Sequence, residues 1–250
     1  MKARTLCLVA LCAVASSVAA QPPLADRVPA DSLAYVGWAG RSMPFEGSMM
    51  GQLLNEPAVG SLFGAIHQAV EQHMPGEAQR EIFRHGWALA GIAWQHPAAI
   101  AVDVRAVAGE PVPGGTLLID LGRDQAQFAE HLDALVAVLG EQLPVKHQTV
   151  AGTALRTMPA GPAGRVYFGF MENLFFAHVG PGAPRELVSL DPAASLAQDA
   201  AFQQRMAAVG GEDVQIAFHL DARALSERLF ALYAEQGDLD GVKLIASLGL

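Results

Sequence analysis

The sequence predicts an α+β fold in which amphipathic helices flank a largely antiparallel or mixed sheet. Two tight-turn signals follow one another, Ala151-Gly152 and Glu172-Asn173, and each separates two short apolar segments, which is the pattern of consecutive β-hairpins. From Ile100 to Arg105, large apolar residues alternate with smaller or polar ones, as in a strand with one solvated face. Hairpins in succession favour an antiparallel or mixed sheet over a doubly wound parallel one.

The first third of the chain is expected to contain one strand and two helices. Residues 21–30 are rich in proline and predict an extended lead-in, and Leu33–Trp38 is the first predicted strand. Apolar residues at helical spacing then predict a helix that is capped by Asn55 and stopped by Pro75-Gly76. The apolar stripe of this helix comprises Val59, Leu62, Phe63, Ile66 and Val70. A second, shorter helix is predicted over Glu77–His85.

The central segment predicts a hairpin followed by the clearest helix in the chain. The strand that contains Ile100–Arg105 leads into a loop rich in glycine and proline at Ala108–Gly115, and Thr116–Leu121 is the return strand. Asp124 then caps a helix over Gln125–Leu139. We expect this helix to bury one apolar stripe against the sheet, formed by Phe128, Leu132, Leu135, Val136 and Leu139.

The remainder of the chain predicts four further strands, two helices and a final strand-helix pair. The four strands are Val145–Val150, Thr153–Met158, Arg165–Met171 and Leu174–Val179. Helices are predicted at Ala183–Leu190 and Asp199–Val209. Val214–Leu220 is the last predicted strand, and Asp221 caps a helix whose apolar positions are Leu225, Leu229 and Leu232.

Two segments of the chain resemble each other. Asp31–Met43 and Asp213–Leu225 align without gaps, and each consists of an aspartate, an apolar strand and the start of a helix. A repeated strand-helix module gives such a match, and so does chance similarity between short, compositionally biased segments. We therefore divide the chain after the lead-in into an α+β domain at 31–211 and the start of a second, truncated module at 212–250. On this division we expect the sequence to be a fragment of a longer protein.

Residues 1–20 have the three parts of an export signal. A positive start at Lys2 and Arg4 precedes an apolar segment at Leu6–Val18, and small residues precede a predicted cleavage site between Ala20 and Gln21. Both cysteines, Cys7 and Cys12, lie inside this segment, and neither follows the small residue that a lipoprotein signal requires. We expect an exported protein, periplasmic or extracellular, that has no cysteine and no transmembrane segment after cleavage.

Composition narrows the classes of partner. Cleavage removes two of the 16 basic residues and none of the 25 acidic ones, so the mature chain carries a net charge of −11 with neutral histidines. An acidic chain repels phosphate backbones, and we therefore expect no nucleic-acid partner. The hydrophobic fraction of 52% is sufficient for a packed core.

The histidines do not form a recognisable metal motif. They are His67, His73, His85, His96, His131, His147, His178 and His219. None forms a His-Glu-x-x-His motif or an i, i+4 pair, and thiolate ligands are absent after cleavage. Serine and lysine residues show no nucleophile motif either. We therefore expect no catalytic residue, no cofactor and no metal ligand.

Two other groups of residues leave alternatives open. Asp103 and Asp120 are candidates for a pair of acid and base carboxylates across the predicted hairpin, or for ordinary exposed strand residues. Four aromatic residues are candidates for the lining of an apolar ligand pocket, or for core positions. These residues are Trp38, Phe45, Trp87 and Trp94.

Three short segments resemble a family of large exported bacterial proteins that share a domain without an assigned function. They are Val28–Val36, which follows the signal, Leu53–Pro57, and Ser195–Phe202. The resemblance extends over most of Val28–Leu250, and members of the family are generally longer than this chain. It implies export, and it assigns no catalytic residues to this chain because none are established for the family.

The function expected from these observations is that of an exported, non-catalytic, envelope-associated or extracellular interaction protein, with a protein or another envelope component as its partner. One alternative is a periplasmic carrier of an apolar ligand, because an antiparallel sheet beside amphipathic helices can enclose a cavity. Another is a hydrolase without a recognisable motif, because catalytic groups can be dispersed along a sequence.

Overall fold

The computed structural model describes residues 22–107, 110–140, 143–209 and 214–235. Within these residues a single open sheet of eight antiparallel strands is flanked by helices, which confirms the predicted α+β class. The strands are β1 (Ala34–Trp38), β2 (Ala98–Val107), β3 (Glu110–Asp120), β4 (Lys146–Val150), β5 (Thr153–Pro159), β6 (Arg165–Met171), β7 (Leu174–Gly180) and β8 (Ile216–Leu220). Their order across the sheet is β4-β5-β6-β7-β3-β2-β1-β8.

The described helices lie mainly between β1 and β2, between β3 and β4, and after β7. They are α1 (Met43–Gly47), α2 (Met49–Leu54), α3 (Pro57–His73), α4 (Glu77–Gln95), α5 (Gln125–Gly140), α6 (Arg185–Val188), α7 (Ala200–Val209) and α8 (Ala222–Glu235). None of the helices in the described ranges is both long and apolar enough to cross a membrane.

Helices α4 and α5 cover part of one face of the sheet, which we call the helix side. Ile92 of α4 is buried there, together with Phe128 and Leu132 of α5. Phe128 packs on Phe175 of β7 with ring centroids 4.8 Å apart. The predicted apolar stripe of α5 is therefore confirmed at its N-terminal half, whereas Leu135 and its neighbours towards the C-terminus are only half-buried.

The opposite face of the sheet is covered by irregular segments and by α7. Tyr35 of β1 is fully buried there, its hydroxyl donates a hydrogen bond to the carbonyl of Pro23, and its ring meets Phe202 of α7 edge-on at 5.8 Å. Burial is the main reason that the pKa of Tyr35 is raised, and the negative charge of Asp26 adds to the effect. The N-terminal segment is thus held onto the sheet by side-chain and backbone contacts.

Two of the three segments that carry the family resemblance contact each other on this face. The amide of Leu196 donates to the carbonyl of Val28 at 2.7 Å, and the amide of Ala30 donates to Ala194 at 3.0 Å. Val28 and Leu196 are buried. These residues therefore have a structural role, since they fasten the start of the described chain to the segment before α7.

The structure corrects two of the predicted boundaries. Helix α4 does not end at His85 but continues to Gln95, because the burial of Ile92 in the helix-side core outweighs the weak helix propensity of Gly86 and Gly91. The predicted loop at Ala108–Gly115 is wrong from Glu110 onwards, where β3 begins. Residues 108 and 109 lie outside the described residues.

Proline is compatible with this part of β3 because of the register of the sheet. Pro111 and Pro113 pair with Ala106 and Val104 of β2, beyond Gly115, the last residue of β3 that pairs with β7. The other edge of β3 therefore has no strand partner at the two prolines among the described residues, and a missing N–H is tolerated on such an edge.

The N-terminal and C-terminal predictions have different outcomes. The signal and its cleavage site at Ala20 and Gln21 lie outside the described residues, as does 236–250 of the predicted second module. Within the lead-in, Ala25–Arg27 forms one turn of 3-10 helix.

The strand of the predicted second module, β8, joins the same sheet as the neighbour of β1. The division of the chain at residue 212 stays a prediction.

Candidate interaction surface

Six large apolar side chains lie exposed on the helix side of three adjacent strands. We call them the open face: Val36 of β1, Ile100 and Val102 of β2, and Ile216, Phe218 and Leu220 of β8. Val36 lies directly opposite both Ile100 and Phe218 in the register, and facing residues of antiparallel strands share one face of the sheet. Their exposed fractions range from 37% at Val36 to 65% at Ile216. An apolar surface that continues across three strands is typical of an interaction site.

The open face arises because both faces of this part of the sheet are apolar. In β8, Ala217 and His219 are buried on the side of α7, so the larger residues between them point to the helix side. In β1, Tyr35 occupies the buried side and leaves Val36 on the open face. In β8 the larger apolar side chains therefore remain exposed to solvent. A strand with one solvated face is expected to expose polar residues there instead.

The helix layer ends before it reaches the open face. The helix-side core extends to Leu117 and Ala98, and these residues lie opposite Ile100 and Trp38, respectively, in the register. The exposure of Ile100, Val36 and Phe218 shows that no helix in the described ranges covers them fully.

An aromatic cluster adjoins the open face. Trp38 of β1 stacks on Trp94 of α4 with ring centroids 4.6 Å apart, and Phe45 of α1 meets both indoles edge-on at 5.1 and 6.0 Å. The indole N–H of Trp38 donates to the carbonyl of Trp94 at 3.0 Å. Because Trp38 also lies opposite Ile216, the cluster extends the apolar surface, and Trp94 is 45% exposed. The rings pack on one another, and they line none of the three cavities described below.

Trp87, the fourth aromatic candidate, lies apart from this cluster. It packs between α3 and α4, where its ring is 5.8 Å from Phe83 and 5.3 Å from His67. Helix α3 forms where it was predicted, but its N-cap is Glu56 and not the predicted Asn55, and it has no buried residue. The exposed residues of its apolar stripe are Leu62, Phe63, Ile66 and Val70. The surface of α3 is therefore a second apolar surface without a full covering from the described residues.

The two edge strands of the sheet differ in chemistry. Lys146 starts β4, and the next three residues, His147, Gln148 and Thr149, are polar and exposed. Strand β8 has the sequence Ile-Ala-Phe-His-Leu and contains no formal charge and no proline. Charged residues and prolines are what natural proteins use to keep a free edge from pairing. Of the two edge strands, only β4 therefore has a composition that discourages pairing with another strand.

A polar cluster lies on the side of the sheet opposite to the open face. The carboxylate of Asp103 accepts from Arg105 at 2.7 Å, Arg105 donates to Glu186 at 3.0 Å, and Thr116 is 2.9 Å from Nδ1 of His178. The cluster lines a cavity of about 30 Å³, which is the volume of about one water molecule. Burial lowers the pKa of His178, although the negative charge of Asp103 acts in the opposite direction.

The other oxygen of Asp103, Oδ1, is buried and has no hydrogen-bond partner among the described residues. A Cβ at Gly114 would lie 2.1 Å from it, so glycine makes the space that this carboxylate occupies. Asp120 is not near: its amide bonds to Pro97 at the other end of the hairpin, whereas Asp103 lies opposite Gly114. The two carboxylates therefore do not form an acid-base pair.

Two of the histidines lie in the interior. His178 and His219 are buried, and burial is also the main reason that the pKa of His219 is lowered. The structure brings together one pair that sequence spacing did not predict, because 46 residues separate them: Nδ1 of His85 is 3.2 Å from Nδ1 of His131. Within the described ranges, no group of three or more His, Cys, Asp or Glu residues could hold a metal ion.

Two further cavities bear on the carrier alternative. One, of about 190 Å³, lies between Arg27 and Leu187, and another, of about 220 Å³, lies beside Leu155 and Phe168. Sites for drug-sized ligands typically measure about 300–1,000 Å³. Both cavities are smaller than that, and neither adjoins the open face.

The residues of the open face were not among the site candidates from the sequence, although one signal pointed to them. The repeat alignment makes Val36 equivalent to Phe218, and both stand in strands without polar alternation. No protein-family model, curated protein or solved structure matches this chain.

Proposed function

We propose that this chain is an exported, non-catalytic interaction protein of the cell envelope or the extracellular space, and that the open face binds its protein partner. The observation that supports this most directly is the exposure of six large apolar side chains on three adjacent strands. Soluble monomers rarely leave contiguous apolar areas beyond a few hundred Å² in water, and those that do generally use them for binding.

The chemistry of the polar residues favours binding over catalysis. The Asp103 carboxylate accepts from Arg105, Arg105 also donates to Glu186, and Thr116 lies within hydrogen-bond distance of His178. General acid-base catalysis needs a group placed to exchange a proton with a substrate. Because these side chains bond mainly to one another, we infer that the apolar surface is the part that meets a partner.

The proposal is tested by charge substitutions on the open face. Phe218→Glu places a carboxylate in the middle of the apolar surface, and Thr149→Glu places the same group on the exposed opposite edge as a matched control. The mature chain and both variants are mixed with envelope fragments of the exporting cell, and the bound fraction is measured by sedimentation.

We expect the parent chain and Thr149→Glu to co-sediment with the fragments and Phe218→Glu to stay in the supernatant, because a charge buried at an interface without a partner is costly. Thermal unfolding is measured for both variants to establish that they are folded. Equal sedimentation of all three proteins, or none from the parent chain, would contradict the proposal.

A further inference from the structure

We propose that the outer edge of β8 is a strand-addition site for an extended segment of a protein partner. This segment carries branched apolar residues on the open face and small residues on the other side. The proposal rests on the proposed function, because it describes how a partner binds next to the open face.

The hydrogen bonds at the two ends of β8 show which of its backbone groups have no partner among the residues that the structure describes. Ala39 N–H donates to the carbonyl of Gln215 at 2.9 Å, and Asp221 N–H donates to the carbonyl of Leu33 at 2.8 Å. In an antiparallel pair the residues that bond to the neighbour alternate along the strand. The odd-numbered residues of β8 therefore bond to β1, and the N–H and C=O groups of the even-numbered residues point to the outer edge.

The even-numbered residues of β8 are also the three that expose apolar side chains on the open face: Ile216, Phe218 and Leu220. Main-chain donors and acceptors and an apolar surface are thus presented together at one edge of the sheet. This is the combination that proteins use to bind an extended peptide, since the backbone bonds supply affinity and the alternate side chains supply specificity. Strand β4, at the other edge, offers polar side chains instead.

The expected pattern of the bound segment follows from the repeat. Val36 and Phe218, 182 residues apart, are equivalent in the repeat and face each other, so a local twofold axis between them relates β1 to β8. The same axis carries β2, the other neighbour of β1, to the outer edge of β8. The segment of β2 that pairs with β1 is Ala98–Val102, with the sequence Ala-Ala-Ile-Ala-Val.

This pattern fits the surroundings of β8. Ala217 and His219 are buried beside Phe202 and Arg205, so small residues suit that side of an added strand. Isoleucine and valine on the other side would widen the open face, next to Phe218 and Leu220. The partner we infer is therefore an uncharged, alternating segment of about five residues.

The experiment uses the purified chain and a peptide of the sequence Ala-Ala-Ile-Ala-Val flanked by lysines for solubility. The axis places the isoleucine of the peptide opposite Phe218, with its N–H directed at β8. Methylation of the isoleucine nitrogen removes that donor. Methylation of the nitrogen of the following alanine removes an N–H that points away from β8, and it serves as the matched control. Binding is measured by titration, and the exchange of individual amide hydrogens is followed by NMR.

We expect the unmodified peptide to slow the exchange of the Phe218 amide at least about tenfold near saturation, while the amides of Ala217 and His219, already bonded to β1, change little. The peptide methylated at isoleucine should bind about tenfold more weakly, because its donor and the facing carbonyl lose their bond. The peptide methylated at alanine should bind like the unmodified one.

Three results would overturn the proposal. The first is the absence of peptide binding, and the second is equal binding of the two methylated peptides. The third is protection of the Phe218 amide in a concentration-dependent dimer without any peptide, which would make a second copy of the chain the occupant. If Phe218→Glu abolishes envelope binding while the methylated peptides do not differ, strand addition fails and the proposed function stands.

Discussion

Val36 and Phe218 face each other at the centre of the β1–β8 pair, and they are also equivalent positions of the two similar segments of the sequence. The whole of β1, Ala34–Trp38, matches the whole of β8, Ile216–Leu220, at the same offset. The sequence similarity therefore coincides with a symmetric arrangement in the sheet. This arrangement places two exposed apolar side chains side by side, and it is the centre of the open face.

Substitutions on the open face are expected to change surface properties more than stability. Replacement of both Ile216 and Phe218 by serine should reduce the fluorescence of bound 1-anilinonaphthalene-8-sulfonate. Each replacement should change the free energy of unfolding by less than about 1 kcal/mol, because the two side chains are 65% and 62% exposed. Leu118→Ala is the contrasting core substitution, and it should cost about 2–5 kcal/mol. A loss of several kcal/mol in the serine variant would show that these side chains are core residues.

Two glycine-to-alanine substitutions should change the free energy of unfolding in opposite directions. Gly114→Ala puts a Cβ 2.1 Å from Oδ1 of Asp103 and should cost about 1–3 kcal/mol of unfolding free energy, since the carboxylate and its partner Arg105 must move. Gly60→Ala, on α3, meets open space and should stabilise by about 0.5–1 kcal/mol through helix propensity. Urea unfolding measures both values. A neutral Gly114→Ala would mean that Asp103 does not occupy the space over Gly114.

Mild acid is expected to destabilise the fold through its buried histidines. Burial lowers the pKa of His178 and of His219 in the folded state, so the unfolded chain binds protons first as the pH falls. Their contribution to the free energy of unfolding is complete above the unfolded pKa, about 6.5, and it is lost as the pH falls through the folded values. Urea unfolding between pH 7.5 and 5 should show this decline.

The variant His178→Gln should show a smaller decline over the same range, whatever its absolute stability, because one of the two groups no longer titrates. Thr149→Gln, at an exposed position of β4 without a titratable group, is the control and should keep the slope of the parent chain. A slope that is the same in all three proteins would show that His178 binds its proton equally well in the folded and the unfolded state.

Most elements of the fold were predictable because their signals are local. The turn Ala151-Gly152 forms, with both residues at positive φ, and the helix predicted after Asp124 buries Phe128 as its spacing indicates. The predicted cap itself is absent from the described residues, since Asp124 ends a 3-10 turn and its carboxylate contacts His96. The C-terminal half of α4 was missed because Gly86 and Gly91 weaken the helical pattern, and only the tertiary burial of Ile92 explains why the helix continues.

The candidate site was less predictable because it depends on which strands become neighbours. Periodicity shows that Val36 and Phe218 belong to strands, but not that these strands pair or that the helix layer stops at Ala98. The pair of His85 and His131 was missed for the same reason, since two helices that are distant in sequence bring the rings together. In α3, a regular apolar pattern correctly predicted a helix, but the residues of this pattern are not buried.

Contact between the open face and a protein partner in the cell is probed by placing the photo-crosslinking residue p-benzoylphenylalanine at position 218 in place of Phe218, and at position 149 in place of Thr149 as the control. After irradiation of intact cells, the covalent products of the two variants are compared on denaturing gels. We expect a discrete product of higher mass from position 218 that is absent from position 149. No product at either position, or the same products at both, would show that the open face is not the surface that binds a partner.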